Sequence, residues 1–85
     1  MKDLTFKKLN NKGEEVILTV IATYHDDVLN KDFIIYTDKT IDNNGLLKVY
    51  CSLYKIADNE IKLIDITTNE ERKVELMLIK EIINN

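Results

Sequence analysis

Apolar and polar residues alternate along most of the chain, and a two-residue period of this kind is typical of half-buried β-strands. The pattern is densest between residues 14 and 24, where Val16, Ile17, Val20 and Ile21 stand among threonines. That β-branched density predicts a long strand. Similar runs at about residues 4–9, 32–37, 46–57 and 60–66 predict four more strands.

The segments between these runs carry turn residues. Asn10 to Gly13 and Asp42 to Gly45 both contain residues that tolerate positive φ, and Asp58-Asn59 predicts a tight two-residue turn. Parallel neighbours would require long crossovers, whereas connections this short join antiparallel strands. The sequence therefore predicts an antiparallel β-meander.

The period changes near the end of the chain, where a helix is predicted over about residues 69–83. Thr68 and Glu71 have the spacing of a capping box, in which each side chain bonds the backbone amide of the other residue. Two apolar stripes follow the helical period. The first comprises Val74, Met77, Leu78 and Ile82, and the second comprises Leu76, Ile79 and Ile83. The whole chain, residues 1–85, is predicted to be a single α+β domain.

Both faces of the predicted sheet are apolar, although one helix covers only one of them. In the fourth strand Cys51 and Leu53 point one way, and Tyr50, Tyr54 and Ile56 point the other. Two alternatives account for the second face. The sheet curls into a partial barrel and hides it, or a second chain covers it, in which case the protein forms a homodimer.

Composition and charge narrow the function classes. The 85 residues are 45% hydrophobic and 32% charged, which is typical of a folded domain. The net charge of −3 and the scattered lysines argue against a nucleic-acid or membrane surface. No apolar run is long enough to cross a bilayer and no secretory signal is apparent. The single cysteine suits a reducing compartment, so we expect a cytoplasmic protein.

The centre of the chain resembles a bacterial family of unknown function, the DUF1292 family (UPF0473, YrzB-like proteins). The resemblance rests on Lys31 to Thr40, followed by Asp42, Gly45, Val49 to Leu53 and Tyr54. The preceding hairpin and the acidic start of the helix extend it over nearly the whole chain. Relatives often carry a Trp where this helix has Arg72 and Lys73, and a small residue in place of Cys51. The resemblance implies a bacterial α+β protein and brings with it no activity, substrate or cofactor.

Three candidate sites fail on their chemistry. Cys51 lies mid-strand among apolar residues and is interpreted as an inert core thiol. His25-Asp26-Asp27 contains metal-ligating types, but adjacent loop residues rarely converge on one ion. The oxygen-rich segment from Asp38 to Gly45 lacks the bidentate Glu of a calcium loop, and Asp38, Asp42 and Asn44 are interpreted as turn-capping residues. We therefore predict no catalytic residue, no metal and no cofactor, and a protein that is not an enzyme.

The tyrosines are the candidate interaction residues. They are Tyr24, Tyr36, Tyr50 and Tyr54. Tyrosine is favoured at protein interfaces, where the ring is buried and the hydroxyl stays hydrated. The leading hypothesis is a non-catalytic module that binds an unidentified protein or a second copy of itself. The alternative is an accessory nucleic-acid module that stacks single-stranded bases on a tyrosine-lined sheet.

Overall fold

The computed structural model describes residues 4–84, which form a five-stranded sheet followed by one helix. The elements are β1 (Thr5–Leu9), β2 (Glu15–Asp26), β3 (Lys31–Thr37), β4 (Tyr50–Ala57), β5 (Glu60–Ile64) and α1 (Asn69–Asn84). Each strand pairs antiparallel with the next one along the chain. The predicted α+β meander with a C-terminal helix is confirmed. Within residues 4–84 no helical segment has the length and apolar character that a membrane crossing requires.

The turns form where their residue types predict them. The Asn10 side-chain oxygen accepts hydrogen bonds from the amides of Lys12 and Glu14 at 2.9 and 3.0 Å, and Gly13 adopts a φ of +79°. Asp58 and Asn59 both have positive φ, at 54° and 64°. Two consecutive left-handed residues match the right-handed twist of the strands on either side, so the β4–β5 hairpin closes in two residues.

Three strands begin or end two or more residues from their predicted positions, and one of them, β5, ends at Ile64 and not at residue 66. β4 begins at Tyr50 and not at residue 46, because residues 40–48 pair with each other: the Asp42 amide donates to the Leu46 carbonyl and the Lys48 amide donates to the Thr40 carbonyl. We call this short two-stranded segment the ribbon. β2 continues to Asp26, so the predicted loop at residues 25–30 is shorter and His25 lies on a strand.

A β-bulge at Ile21 reverses the orientation of the second half of β2. Val20 lies opposite Tyr36 and Ala22 lies opposite Ile35, which leaves Ile21 as an extra residue. An inserted residue moves every later side chain to the other face of the sheet. Tyr24 consequently pairs with Phe33, and their ring centroids are 6.5 Å apart on the helix side.

The helix side of the sheet carries the first of two cores. Phe33, Ile35, Leu53 and Leu78 are buried there. Half-buried Val49, Cys51, Ile66, Val74 and Ile82 pack around them. Residues of one strand that point the same way are two apart, so β3 and β4 supply the sheet half of this core and α1 supplies the other half.

The second core lies on the opposite face and draws on all five strands. Its buried members are Leu18, Ile34 and Tyr36. Around them pack Phe6, Val16, Val20, Tyr54, Ile61 and Leu63. Phe6 is on β1 and Ile61 is on β5, so the two outermost strands contact one cluster and the sheet curls until it is nearly a barrel. Of the two alternatives for the second face, the structure has the curled sheet.

A buried acidic residue joins α1 to the sheet. Glu71 is 1% exposed. Its side-chain oxygen Oε1 accepts hydrogen bonds from the backbone amides of Thr67 and Thr68, at 2.9 and 3.1 Å. The backbone amide of Glu71 in turn donates to Thr68 Oγ1 at 3.1 Å. The predicted capping box is confirmed. The Lys31 ammonium, on β3, donates to Oε2 of the same carboxylate. These hydrogen bonds lower the pKa of Glu71 to about 2, and the bond from Lys31 has a larger effect than the bonds from the two backbone amides.

The two predicted helix stripes differ in burial. Val74, Leu78 and Ile82 pack on the sheet, while Met77, placed in the same stripe, is exposed at its margin. In the second stripe Leu76 and Ile83 are exposed and Ile79 is half-buried. The helix therefore packs through one stripe against β3 and β4, and most of the second stripe faces away from the sheet.

We expect Leu78→Ala to destabilise the protein by about 3 kcal/mol, because it removes buried methyl groups and leaves a cavity. Leu76→Ala is the matched control on the same helix and should change stability by no more than about 0.5 kcal/mol. The exposed fractions of 6% for Leu78 and 61% for Leu76 are the basis of the contrast. Urea unfolding followed by circular dichroism measures both values. Equal losses would contradict the observed orientation of α1.

We expect the Glu71 carboxylate to make stability depend on acid pH. Its pKa is about 2 when folded against an ordinary 4.5, so its contribution is complete above pH 4.5 and is lost as the pH falls toward 2. The urea midpoint of Glu71→Gln should lie below that of the parent at neutral pH, and the difference should shrink between pH 4.5 and 2. Glu70→Gln, at the exposed neighbouring position, controls for the loss of one negative charge. A difference for Glu71→Gln that stays constant with pH would rule out this linkage.

Candidate functional site

The four candidate tyrosines do not share one surface. Tyr36, Tyr50 and Tyr54 lie on the sheet face opposite the helix, as their alternation predicts. Tyr24 lies on the helix side because of the bulge at Ile21. A bulge in one strand has no reliable sequence signature here, so alternation alone places Tyr24 on the wrong face.

Two of these tyrosines belong to the second core. Tyr36 is 8% exposed, its ring meets Phe6 edge-on with centroids 5.6 Å apart, and its hydroxyl is hydrogen-bonded to Ser52 Oγ at 3.1 Å. Tyr54 is half-buried against the same cluster. Most of the surface of both rings is thus covered by the protein's own side chains. Tyr50 and Tyr24, at 38% exposure each, are the accessible members of the set.

A cleft of about 290 Å³ opens at one end of the curled sheet, and we call it the mouth cleft. Val16, Leu18 and Tyr36, on β2 and β3, form its apolar floor. Residues 8–11 of the β1–β2 hairpin line one side, and Asp38 and Tyr50 line the other. The mouths of barrels and curled sheets are common binding positions, because side chains from several strands converge there.

Asp38 is held as a charged group at the edge of this cleft. Its Oδ1 accepts from the Thr40 amide at 3.0 Å and from Thr40 Oγ1 at 2.6 Å, and the Tyr50 hydroxyl donates to its Oδ2 at 3.3 Å. The Thr40 bonds are the main cause that lowers the pKa of Asp38 below its ordinary value. Among the residues that the structure describes, no basic side chain forms an ion pair with this carboxylate.

The Tyr50 ring is fixed beside Asp38. It stacks on the Tyr36 ring with centroids 5.7 Å apart and an interplanar angle of 26°. One ring face is therefore supported by the second core, and the hydroxyl is held by Asp38. Tyr50 is a rigid, partly exposed aromatic group at the entrance of the mouth cleft.

Exposed apolar side chains also occur in the ribbon, which lies at the same end of the sheet as the cleft. The ribbon begins and ends next to Asp38 and Tyr50, and its paired residues Ile41 and Leu47 are 57% and 45% exposed. Directly opposed strand residues point to the same side, so these two form a continuous apolar step. The ribbon joins β3 to β4 at the end of the sheet where the cleft opens, and we call its pair Ile41 and Leu47, together with the cleft residues Leu9 and Tyr50, the mouth surface.

The ribbon is a defined structure and not a loose loop. The Asp42 side chain accepts from the amides of Asn44 and Leu46 at 2.8 and 3.0 Å, and Gly45 takes the positive φ that its turn requires. The Thr37 hydroxyl donates to the Lys48 carbonyl at 2.7 Å. The interpretation of Asp38 and Asp42 as turn-capping residues is confirmed, whereas Asn44 takes part in the turn through its backbone amide, which donates to Asp42. Alternation places residues 46–49 in the fourth strand, so the sequence alone does not predict the mouth surface.

His25 is paired with carboxylates. Its Nδ1 lies 2.7 Å from Asp32 Oδ1 on the neighbouring strand, and its Nε2 lies 3.5 Å from Asp27 Oδ1. Asp26 instead caps the following turn by accepting from the Leu29 amide at 2.8 Å. The hydrogen bond to Asp32 is the main cause that raises the pKa of His25. Among residues 4–84 no group of three or more His, Cys, Asp or Glu side chains is placed to hold a metal ion.

Cys51 packs in the helix-side core. It is half-buried, and the pKa of its thiol is raised to about 11. Burial is the larger cause, and the negative charge of Glu75 is the smaller one. It pairs with Ile35, whereas His25 pairs with Asp32, and these two β3 positions point to opposite faces. His25 is thus not placed to act as a base for this thiol.

We expect the His25 imidazole to titrate above its ordinary pKa of 6.5, because protonation strengthens the bond to Asp32. Asp32→Asn should lower the pKa of His25 toward 6.5, and the more distant Asp27→Asn should lower it by less. The ring proton resonances in an NMR titration report the pKa in all three proteins. A larger effect of Asp27→Asn would contradict the observed pairing.

The mouth cleft, the ribbon and Tyr50 thus lie together at one end of the sheet. They combine apolar side chains, one aromatic ring and one fixed negative charge, which is the composition of a binding surface. Comparisons of the chain with family models, with curated proteins and with solved structures find no match.

Proposed function

We propose that this protein is a non-catalytic interaction module that binds another protein through the mouth surface. The observation that carries the proposal is the exposure of the paired ribbon residues Ile41 and Leu47, at the end of the sheet where Leu9 and Tyr50 line the cleft. Apolar patches grouped at one end of a small domain are typical of protein-binding sites.

The fold supports this reading because its own cores are complete without these residues. Each sheet face has a buried cluster, one closed by α1 and the other by the curl of the sheet. The mouth surface belongs to neither cluster. Its side chains therefore remain in contact with water in the isolated chain and gain free energy when a partner covers them.

The rigidity of the surface also favours binding. Asp42 holds the ribbon turn, Thr37 ties Lys48 to the sheet, and Tyr36 supports the ring of Tyr50. A surface that is already ordered loses little conformational entropy when it binds. An aromatic residue with its hydroxyl hydrogen-bonded is a common anchor at such interfaces.

The nucleic-acid alternative draws less support from the geometry. Base stacking on a sheet requires several open rings on one face together with basic side chains around them. Tyr36 and Tyr54 are packed in the second core, and the two exposed rings, Tyr24 and Tyr50, lie on opposite faces. The net charge of −3 also argues against binding to nucleic acid.

The proposal also covers the oligomeric state of the protein, its cellular compartment and its family. A partner that is a second copy of this chain would make the protein a homodimer. A single free thiol with a raised pKa is compatible with work in a reducing cytoplasm. Membership of the bacterial DUF1292 family remains a prediction that rests on the residues quoted for it.

The test replaces the apolar step of the ribbon by a pair of charges. In the double variant Ile41→Glu, Leu47→Lys, opposite charges across the ribbon keep its pairing favourable while the surface becomes polar. The matched control is Val28→Glu, in the β2–β3 turn, where the side chain is 93% exposed. Sedimentation velocity over a concentration series measures self-association, and quantitative capture from a bacterial lysate measures binding to other proteins.

We expect the double variant to lose partner capture or self-association at least tenfold, and the control to behave like the parent. A parent that stays monomeric and captures nothing reproducibly would overturn the proposal. Equal binding by the parent and the double variant would also overturn it, since the mouth surface would then not be the contact.

A further inference from the structure

We propose that the mouth cleft receives one basic side chain, an arginine of an extended segment of the partner protein. In this arrangement the guanidinium lies against Asp38 and Tyr50, and the methylene groups lie on the floor formed by Val16 and Leu18. This inference rests on the proposed function and names the chemistry of the partner.

The two oxygens of Asp38 differ in how far they are satisfied. Oδ1 accepts two short hydrogen bonds from Thr40, at 2.6 and 3.0 Å. Within residues 4–84, the one side chain that donates to Oδ2 is Tyr50, at 3.3 Å. A carboxylate oxygen has room for two donors, so Oδ2 keeps acceptor capacity at the edge of the cleft.

The charge of Asp38 is uncompensated in the described part of the chain. No ion pair within residues 4–84 includes it, and its bonds to Thr40 favour the ionised form. Lysines elsewhere in the structure do pair, as Lys31 does with Glu71 and Lys62 does with Glu60. A fixed anion that forms no ion pair and lies beside an apolar floor is complementary to a basic group on a long apolar stem.

Tyr50 adds a second attraction for a cation. One side of its ring is occupied by Tyr36, and the ring is still 38% exposed. A guanidinium placed over an aromatic ring is attracted by the negative charge of the ring face. Arginine combines this stacking with paired hydrogen bonds to a carboxylate, which lysine does less well.

The volume of the cleft and the charge of Lys8, on the side opposite Asp38, limit what can bind there. Its volume of about 290 Å³ lies at the lower end of ligand pockets, which suits a single side chain better than a cofactor. Lys8 lines the side facing Asp38 and repels a second cation. The site therefore takes one basic side chain, with carbonyl groups of the partner backbone facing Lys8.

The experiment uses two end-blocked peptides, Leu-Arg-Leu and Leu-citrulline-Leu, which differ in charge but hardly in shape. Each is titrated into the isotope-labelled chain of 85 residues, and binding is followed by the amide resonances in two-dimensional NMR. We expect the arginine peptide to produce saturable shifts at residues 8–11, Thr40 and Tyr50, and the citrulline peptide to bind at least tenfold more weakly.

Two variants test whether binding of the arginine peptide depends on Asp38. Asp38→Asn should weaken binding of the arginine peptide at least tenfold, and Asp27→Asn, which removes an exposed carboxylate in the β2–β3 turn, should leave it unchanged. Equal binding of the two peptides to the parent protein, no saturable shift, or shifts centred elsewhere would overturn the inference. The peptide comparison on the parent protein keeps the test valid if Asp38→Asn disturbs the ribbon.

The inference and the proposed function fail in different ways. Loss of capture in the Ile41→Glu, Leu47→Lys variant together with equal binding of both peptides would retain a protein-binding surface and remove the arginine site. Selective binding of the arginine peptide together with capture that does not depend on the ribbon would retain the arginine site and remove the mouth surface as the contact with the partner.

Discussion

The whole structure depends on the burial of β3 from both sides. Phe33, Ile34 and Ile35 are consecutive and almost inaccessible, so their side chains need apolar cover on opposite faces of one strand. A single helix supplies cover on one face only. On the other face the protein bends its sheet until β1 and β5 bring their own side chains to the same cluster. The curl follows from the composition of the central strand.

The same constraint explains where the candidate surface lies. Because both faces are occupied near the middle of β3, a site has room only at an end of the curled sheet, where the strands separate. The end next to the β1–β2 hairpin carries the ribbon, and the ribbon keeps residues 46–49 out of the sheet. Turn residues such as Asp42 and Gly45 thus do more than connect strands, since they hold the ribbon in which Ile41 and Leu47 are exposed.

Local chemistry was sufficient to predict the element order, the turns and the helix cap, because these depend on neighbouring residues. Thr68 and Glu71, for example, are three positions apart and satisfy each other. Features that depend on pairing between strands were not accessible in this way. The bulge at Ile21 is visible only in the register of β2 with β3. The ion pairs of Lys31 with Glu71 and of Asp32 with His25 likewise join residues that come together only when the chain is folded. The mouth surface was missed for the same reason, since an alternating run such as residues 46–49 fits a strand as well as a ribbon.

The order of strands in the sheet is the order of strands in the chain, with α1 returning to β3 and β4. Every strand therefore finds its neighbour after a short stretch of backbone, and no pairing waits for distant segments to meet. Chains whose contacts are close in sequence fold rapidly, because little loop-closure entropy is lost before contacts form. Successive hairpins can form as they are synthesised, and docking of the helix then completes the molecule.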